Sequence, residues 1–198
     1  MNYYLPFDYS MAQLVVNAQK KKGLVFQEIN SSQEIVYGKS KERLFFGKDQ
    51  YWMEDPQGQR IVEINRTAKF PSSKRPLGNE IIKNTKYEFW WKESIFKSSY
   101  RVSSDQQEFF IYDHIFHNRS IWKENNQVGK IEKQHIPGFY YKETVLTFEN
   151  DLDSLVMAAI YYFLYIKDTY NSTSYNAGQL IPAYQDIYNP NWEPSNGF

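Results

Sequence analysis

Cysteine is absent from this 198-residue chain, which excludes thiolate nucleophiles, Cys-ligated zinc and disulfide scaffolds together. Net charge is absent as well. The 23 basic side chains meet 23 acidic ones, whereas a chain that coats nucleic acid carries a surplus of Lys and Arg. Long apolar runs are missing too. The strongest, Leu155–Ile166, would make about 18 Å of helix, whereas a bilayer core takes roughly 20 apolar residues to cross. Met1–Ser10 carries no basic, apolar leader, so the expectation is a cytoplasmic protein without a transmembrane span. What is abundant is aromatic: 17 Tyr, 14 Phe and 5 Trp exclude wholesale disorder. A chain of this length fits one domain and buries about 70% of its unfolded surface, enough to fold without a metal or a disulfide.

Ser10-Met11-Ala12-Gln13 fits a capping box, and Leu14, Val15 and Ala18 follow on roughly helical spacing. Lys20-Lys21-Lys22 and Gly23 then suit a helix C-terminus, so the pattern predicts a short helix over Met11–Lys22 within an N-terminal segment 1–23. From Leu24 to Phe148 the period changes. Short apolar stretches such as Leu24–Ile29, Gln50–Met53, Arg60–Ile64, Tyr87–Trp91, Phe109–Phe116, Val128–Glu132 and Phe139–Phe148 alternate with polar turns such as Asp55-Pro-Gln-Gly and Asn125-Asn-Gln. Ten to twelve strands at that spacing predict an antiparallel sandwich or barrel. Trp52-Met-Glu54 through Ile61 resembles Trp122-Lys-Glu124 through Ile131, with Phe26 through Ile35 a fainter copy, which reads as one hairpin used repeatedly. In Phe109-Phe110-Ile111-Tyr112 both faces are apolar, so something must cover the second face or fill a closed sheet.

The filler is expected directly afterwards. Asn150-Asp151-Leu152-Asp153 supplies capping chemistry, and Leu155–Ile166 has no polar stripe. A helix that is apolar all round is buried all round, so 151–170 is predicted to lie inside the sheet. Burying about eight such side chains at roughly 1.5–3 kcal/mol each exceeds the usual net stability of a domain.

Hairpins closed around one hydrophobic C-terminal helix resemble the tubby-like superfamily: tubby C-terminal domains, phospholipid scramblases, LURP-one-related proteins and small bacterial members. Asp151-Leu152-Asp153, Met157-Ala158, Phe163-Leu164 and Asp168 are similar to the opening and close of the scramblase helix. The turns around Glu54–Ile64 and Asn125–Ile131 are similar to the hairpins of these families. The resemblance spans about Leu24–Tyr170 and implies a twelve-stranded barrel threaded by a helix, with binding rather than catalysis. It brings no functional residue with it. Thr147-Phe148-Glu149-Asn150, where scramblases carry an acidic calcium motif, does not match.

Catalytic signals are weak. Gly38-Lys39-Ser40 lacks the earlier glycine of a phosphate-binding loop, since position 33 is Gln33. Asp113-His114 with His117, and His135 farther along, is the one suggestive cluster, but residues three apart on a strand face opposite ways. No catalytic residue, metal or cofactor is expected. The informative charge lies in 66–86, where Arg66, Lys69, Lys74, Arg75, Lys83 and Lys86 face only Glu80. Its middle reads as a loop, with Phe70 and Leu77 exposed. Such a loop suits an anionic lipid surface, with Lys69, Lys74, Arg75, Lys83 and Lys86 as the contacts. The tail 171–198, rich in Asn, Pro and Tyr, is expected to strap over the barrel. The alternative is that it offers Tyr184, Tyr188 and Trp192 to a protein partner. The sequence thus leads to a non-enzymatic binding module, peripheral to a membrane in the first case and a scaffold in the second.

Overall fold

Twelve short segments, each with one apolar face, solve their burial problem by closing on themselves. The computed structural model describes residues 12–19, 23–29, 33–41, 50–66, 76–94, 97–114, 118–135, 142–171, 189 and 191–194. The strands are β1 (Ala12–Gln19), β2 (Gly23–Glu28), β3 (Glu34–Lys41), β4 (Gln50–Glu54), β5 (Arg60–Arg66) and β6 (Gly78–Ile82). They continue as β7 (Thr85–Ser94), β8 (Lys97–Ser103), β9 (Glu108–Asp113), β10 (Arg119–Lys123), β11 (Asn126–His135) and β12 (Lys142–Phe148). Each pairs antiparallel with its sequence neighbours, and β1 pairs with β12 to close the barrel. One helix follows, α1 (Ser154–Asn171), about 27 Å long at 1.5 Å per residue.

The helix lies inside the barrel. Successive residues of a helix are about 100° apart, so four in a row sweep every face. Met157, Ala158, Ala159 and Ile160 are all 1% exposed or less. The inward residues of the wall meet them: Phe26, Met53, Val62, Phe89, Val102, Phe109, Ile111 and Leu146 belong to one core with the helix. Phe89 stacks on Phe163 with ring centres 3.9 Å apart, and Phe26 meets Tyr161 edge-on at 6.0 Å. Gly38 marks the tightest approach. A Cβ there would sit 2.8 Å from the ring of Tyr162, whose hydroxyl donates to the carbonyl of Lys39 at 2.5 Å. Of the doubly apolar strand, Phe109 and Ile111 point into this core, while Phe110 and Tyr112 are half-buried on the outside.

Three hairpins slip register by one residue beside their turns. Ile35, Ile61 and Val128 are passed over in the β2–β3, β4–β5 and β10–β11 pairings. Such bulges bend the strand and raise its twist. The three skipped side chains pack on the margin of the core, as do Leu152 and Leu155. The similarity among the hairpins in sequence thus has a physical counterpart in a shared bulge. Two other features make the turns tight. Lys83-Asn84 and Glu124-Asn125 take positive φ at both positions, the conformation of a two-residue hairpin, where Asn is tolerated.

Two expectations are corrected. The short helix over Met11–Lys22 is instead strand β1 across its described part, Ala12–Gln19. The run Leu14-Val15-Val16 favours a pleated surface, and its ladders with β2 and β12 seal the barrel. Tertiary pairing outweighs the capping pattern. The loop expected over Phe70–Asn79 also ends sooner than its composition suggests, because Gly78 and Asn79 already belong to a strand, β6. Leu77 is 7% exposed rather than offered to solvent.

Glu80, at the centre of β6, points inward and is 0% exposed, and neither carboxylate oxygen has a hydrogen-bond partner. Burial pushes its carboxyl well above the ordinary range, so the folded state holds it protonated. Its stability contribution is therefore intact below the unfolded pKa, about 4.3, and is lost as pH rises toward the folded value. Glu80→Gln removes that dependence. The variant should gain on the wild type by up to about 1.4 kcal/mol per pH unit over this window, read from paired denaturant melts between pH 5 and 8. A gap that does not change with pH would show Glu80 ionised in the fold. Separately, Ala159→Lys puts a charge at a 0% exposed position inside the barrel and should abolish soluble folded protein. A stable variant would place the helix outside.

Candidate functional site

Because the strands run alternately up and down, their connections fall into two sets at opposite ends. The even-to-odd turns are short and polar: 29–33, 55–59, 83–84, 104–107 and 124–125, with 149–153 leading into α1 at the same end. Asp55 organises one of them, its Oδ1 accepting from the amides of Gln57 at 3.0 Å and Gln59 at 2.8 Å. The odd-to-even connections are longer on the whole and differ in composition. They contain Leu44-Phe45-Phe46, Phe70, Ile95-Phe96, Ile115-Phe116 and Phe139-Tyr140-Tyr141. The connections at the turn end have only Ile29 and Leu152 as large apolar residues in sequence.

Charge divides in the same way. The connections at the long end hold Lys20-Lys21-Lys22, Arg43, Lys48, Lys69 and Lys74-Arg75 against Glu42 and Asp49. The turn end holds Asp55, Asp105, Glu124, Glu149, Asp151 and Asp153 against Lys83. Judged by the sequence of its connections alone, one end of the barrel is cationic and the other anionic.

At the cationic end the helix leaves the barrel through a polar plug. Arg119 is 6% exposed, and its Nε donates to Asp113 at 2.6 Å while its Nη2 donates to Asp168 at 2.5 Å. Tyr100 donates to Asp113 at 3.2 Å and accepts from Lys167, which also lies 3.3 Å from Asp168. Burial opposes the guanidinium charge, but Asp113 and Asp168 more than offset it and hold Arg119 protonated. Burial and the nearby Asp113 push the Tyr100 phenol up, so it stays neutral. The charges in this plug neutralise one another, an arrangement suited to holding the helix end in place. Sequence reasoning missed Arg119 and Tyr100. The available signal was an Arg opening a strand opposite Asp113, combined with Asp168 at the end of an otherwise apolar helix.

His114 is buried outside the wall, its Nε2 2.7 Å from Ser120 Oγ, which also accepts from Trp122 at 2.9 Å. His117 and the side chain of His135 lie outside the described residues. Among the described residues no group of three His, Asp or Glu side chains could hold a metal ion.

The sequence-derived lipid contacts separate. Lys69, Lys74 and Arg75 fall outside the described residues and lie in sequence between β5 and β6. Lys83 sits at the turn end, 2.6 Å from Asp153, and Lys86 lies 2.7 Å from Glu88 on the wall. Asp153 also accepts from the amide of Leu155 at 2.8 Å, the N-cap of α1. Burial alone would raise its carboxyl, but Lys83 and that amide together hold it below the usual range.

Tyr184 and Tyr188 lie outside the described residues. Trp192 lines a cleft of about 630 Å³ with the β10–β11 turn and the segment before α1, and Pro194 is buried. The described part of the tail therefore packs on its own barrel at the anionic end. Among the described residues no helix is long and apolar enough to cross a membrane.

No family model and no curated protein matches the chain. Among solved structures, an X-ray structure of a protein from Arabidopsis thaliana is similar to it at 12% identity and a TM-score of 0.47, over 80% of this chain and 91% of that one.

Proposed function

We propose that this protein is a non-enzymatic binding module that docks on an anionic lipid surface through the cationic end of its barrel. The observation that carries the reading is the sorting of connections. Every large aromatic or aliphatic cluster between strands, and eight of the nine basic residues between strands, belong to that end. Basic residues near an anionic leaflet contribute about 1 kcal/mol each, and aromatic groups suit the headgroup boundary. Neighbouring features favour a surface role. The helix fills the barrel interior, and outward positions such as Glu63, Lys86 and Arg101 are exposed charges, unlike the apolar band of a lipid-spanning wall.

The test is co-flotation of the full chain with phosphatidylcholine vesicles, with and without phosphatidylserine. Binding should require phosphatidylserine and fall as salt shortens the Debye length from about 10 Å at 0.1 M to about 3 Å at 1 M. Replacing Lys69, Lys74 and Arg75 together by Gln should weaken it by up to about 3 kcal/mol. Lys83→Gln, at the opposite end, should leave it unchanged. Indifference of the wild type to phosphatidylserine at low salt removes the proposal.

A further inference from the structure

The anionic end carries a site of its own, independent of any docking at the other end. Among the described residues, the cleft beside Trp192 is lined by three carboxylates, Glu149, Asp151 and Glu193, with Lys123 as the one cation. Acidic residues before a helix have an ordinary role, complementing its N-terminal dipole. Asp153 takes that role here, tied to Lys83 and the Leu155 amide. Asp151 and Glu193 stay exposed on the cleft.

A second observation points to a ligand. Gln127 also lines the cleft and is 8% exposed. Its Nε2 faces the carbonyl of Gly129 at 3.4 Å, leaving the Oε1 buried without a hydrogen-bond partner. A buried acceptor left unmade costs about 1–3 kcal/mol, and only a donor can relieve it. The cleft therefore sets carboxylates beside an indole, with the unsatisfied Gln127 acceptor buried behind its lining. Indole faces attract organic cations, guanidinium above all, and carboxylates pair with the guanidinium fork.

We propose that this cleft binds the guanidinium or ammonium group of an organic cation. The volume lies within the range of small-ligand sites, so it admits a side chain with its flanking peptide or a free polyamine.

The experiment follows the indole N–H of Trp192 in the labelled full chain, assigned by its disappearance in Trp192→Phe. The probes are N-acetylarginine amide, its uncharged citrulline counterpart, an arginine tetrapeptide, spermidine and calcium chloride. The arginine amide should shift the resonance saturably and the citrulline compound should not. Asp151→Asn combined with Glu193→Gln should weaken binding about two- to tenfold, with thermal unfolding unchanged because both positions are exposed. Lys123→Gln should strengthen it. Tighter binding of the tetrapeptide than of spermidine identifies a protein source, and the reverse a polyamine; either upholds the cation site. Equal response to citrulline, an unaltered double variant, or displacement of the arginine amide by lower concentrations of calcium overturns it.

Discussion

The enclosure of Met157–Ile160 is the constraint on which the other features rest. A helix with no polar face has to be surrounded, and twelve strands closing into a wall surround it. The local choices follow from that. Position 38 is glycine because the Tyr162 ring occupies the space of a side chain. Phe89 lies flat on Phe163 because wall and helix meet there without room for anything else. The helix must also end somewhere, and its first charged residues, Lys167 and Asp168, emerge where Arg119, Asp113 and Tyr100 can satisfy them. Arg119 is nearly as buried as the core, and it remains charged because two carboxylates share its guanidinium. Removing either partner of such a pair leaves a costly buried charge, so the plug holds the helix in register.

A filled interior moves any recognition to the surface, and the connectivity decides which surface. In an up-and-down barrel all odd-to-even connections share one end, whatever their distance in sequence. Lys20-Lys21-Lys22 and Lys74-Arg75 are over fifty residues apart in the chain, yet both lie in sequence on odd-to-even connections. A net charge of zero is therefore uninformative about the field. What a partner meets is the local potential, not the net charge.

The fold was legible where one pattern dominated. The strand periodicity, the turn residues and the stripe-free helix required only local reading, and the helix begins at Ser154 beside the anticipated capping residues. The misreadings occurred where local and tertiary preferences disagree. Ser10 to Gly23 satisfies the rules for a helix, but Leu14, Val15 and Val16 supply the seam that no other segment fills. β6 was hidden because Gly78-Asn79-Glu80 has the composition of a turn, and a carboxyl buried without a partner is not what a strand interior predicts. The candidate site was less legible than the fold. The basic stretch 66–86 stands out in sequence, but its unity is deceptive, since a hairpin sends Lys83 to the far end of the barrel. The three lysines at 20–22 looked like the last turn of a helix. Their kinship with Lys69 and Arg75 appears only once the strand order is known.

The helix accounts for part of this charge separation, and the remainder is what calls for a function. α1 enters at the anionic end, so Asp153 faces the positive end of its dipole. That match is worth about 0.3–1 kcal/mol per charge and fades beyond the first and last turns. It covers the residues that touch the helix. It does not account for the basic surplus that the sequence puts on the odd-to-even connections. In sequence that surplus neighbours Leu44-Phe45-Phe46 and Phe70 on the same connections, and it is this pairing on which the proposed docking rests.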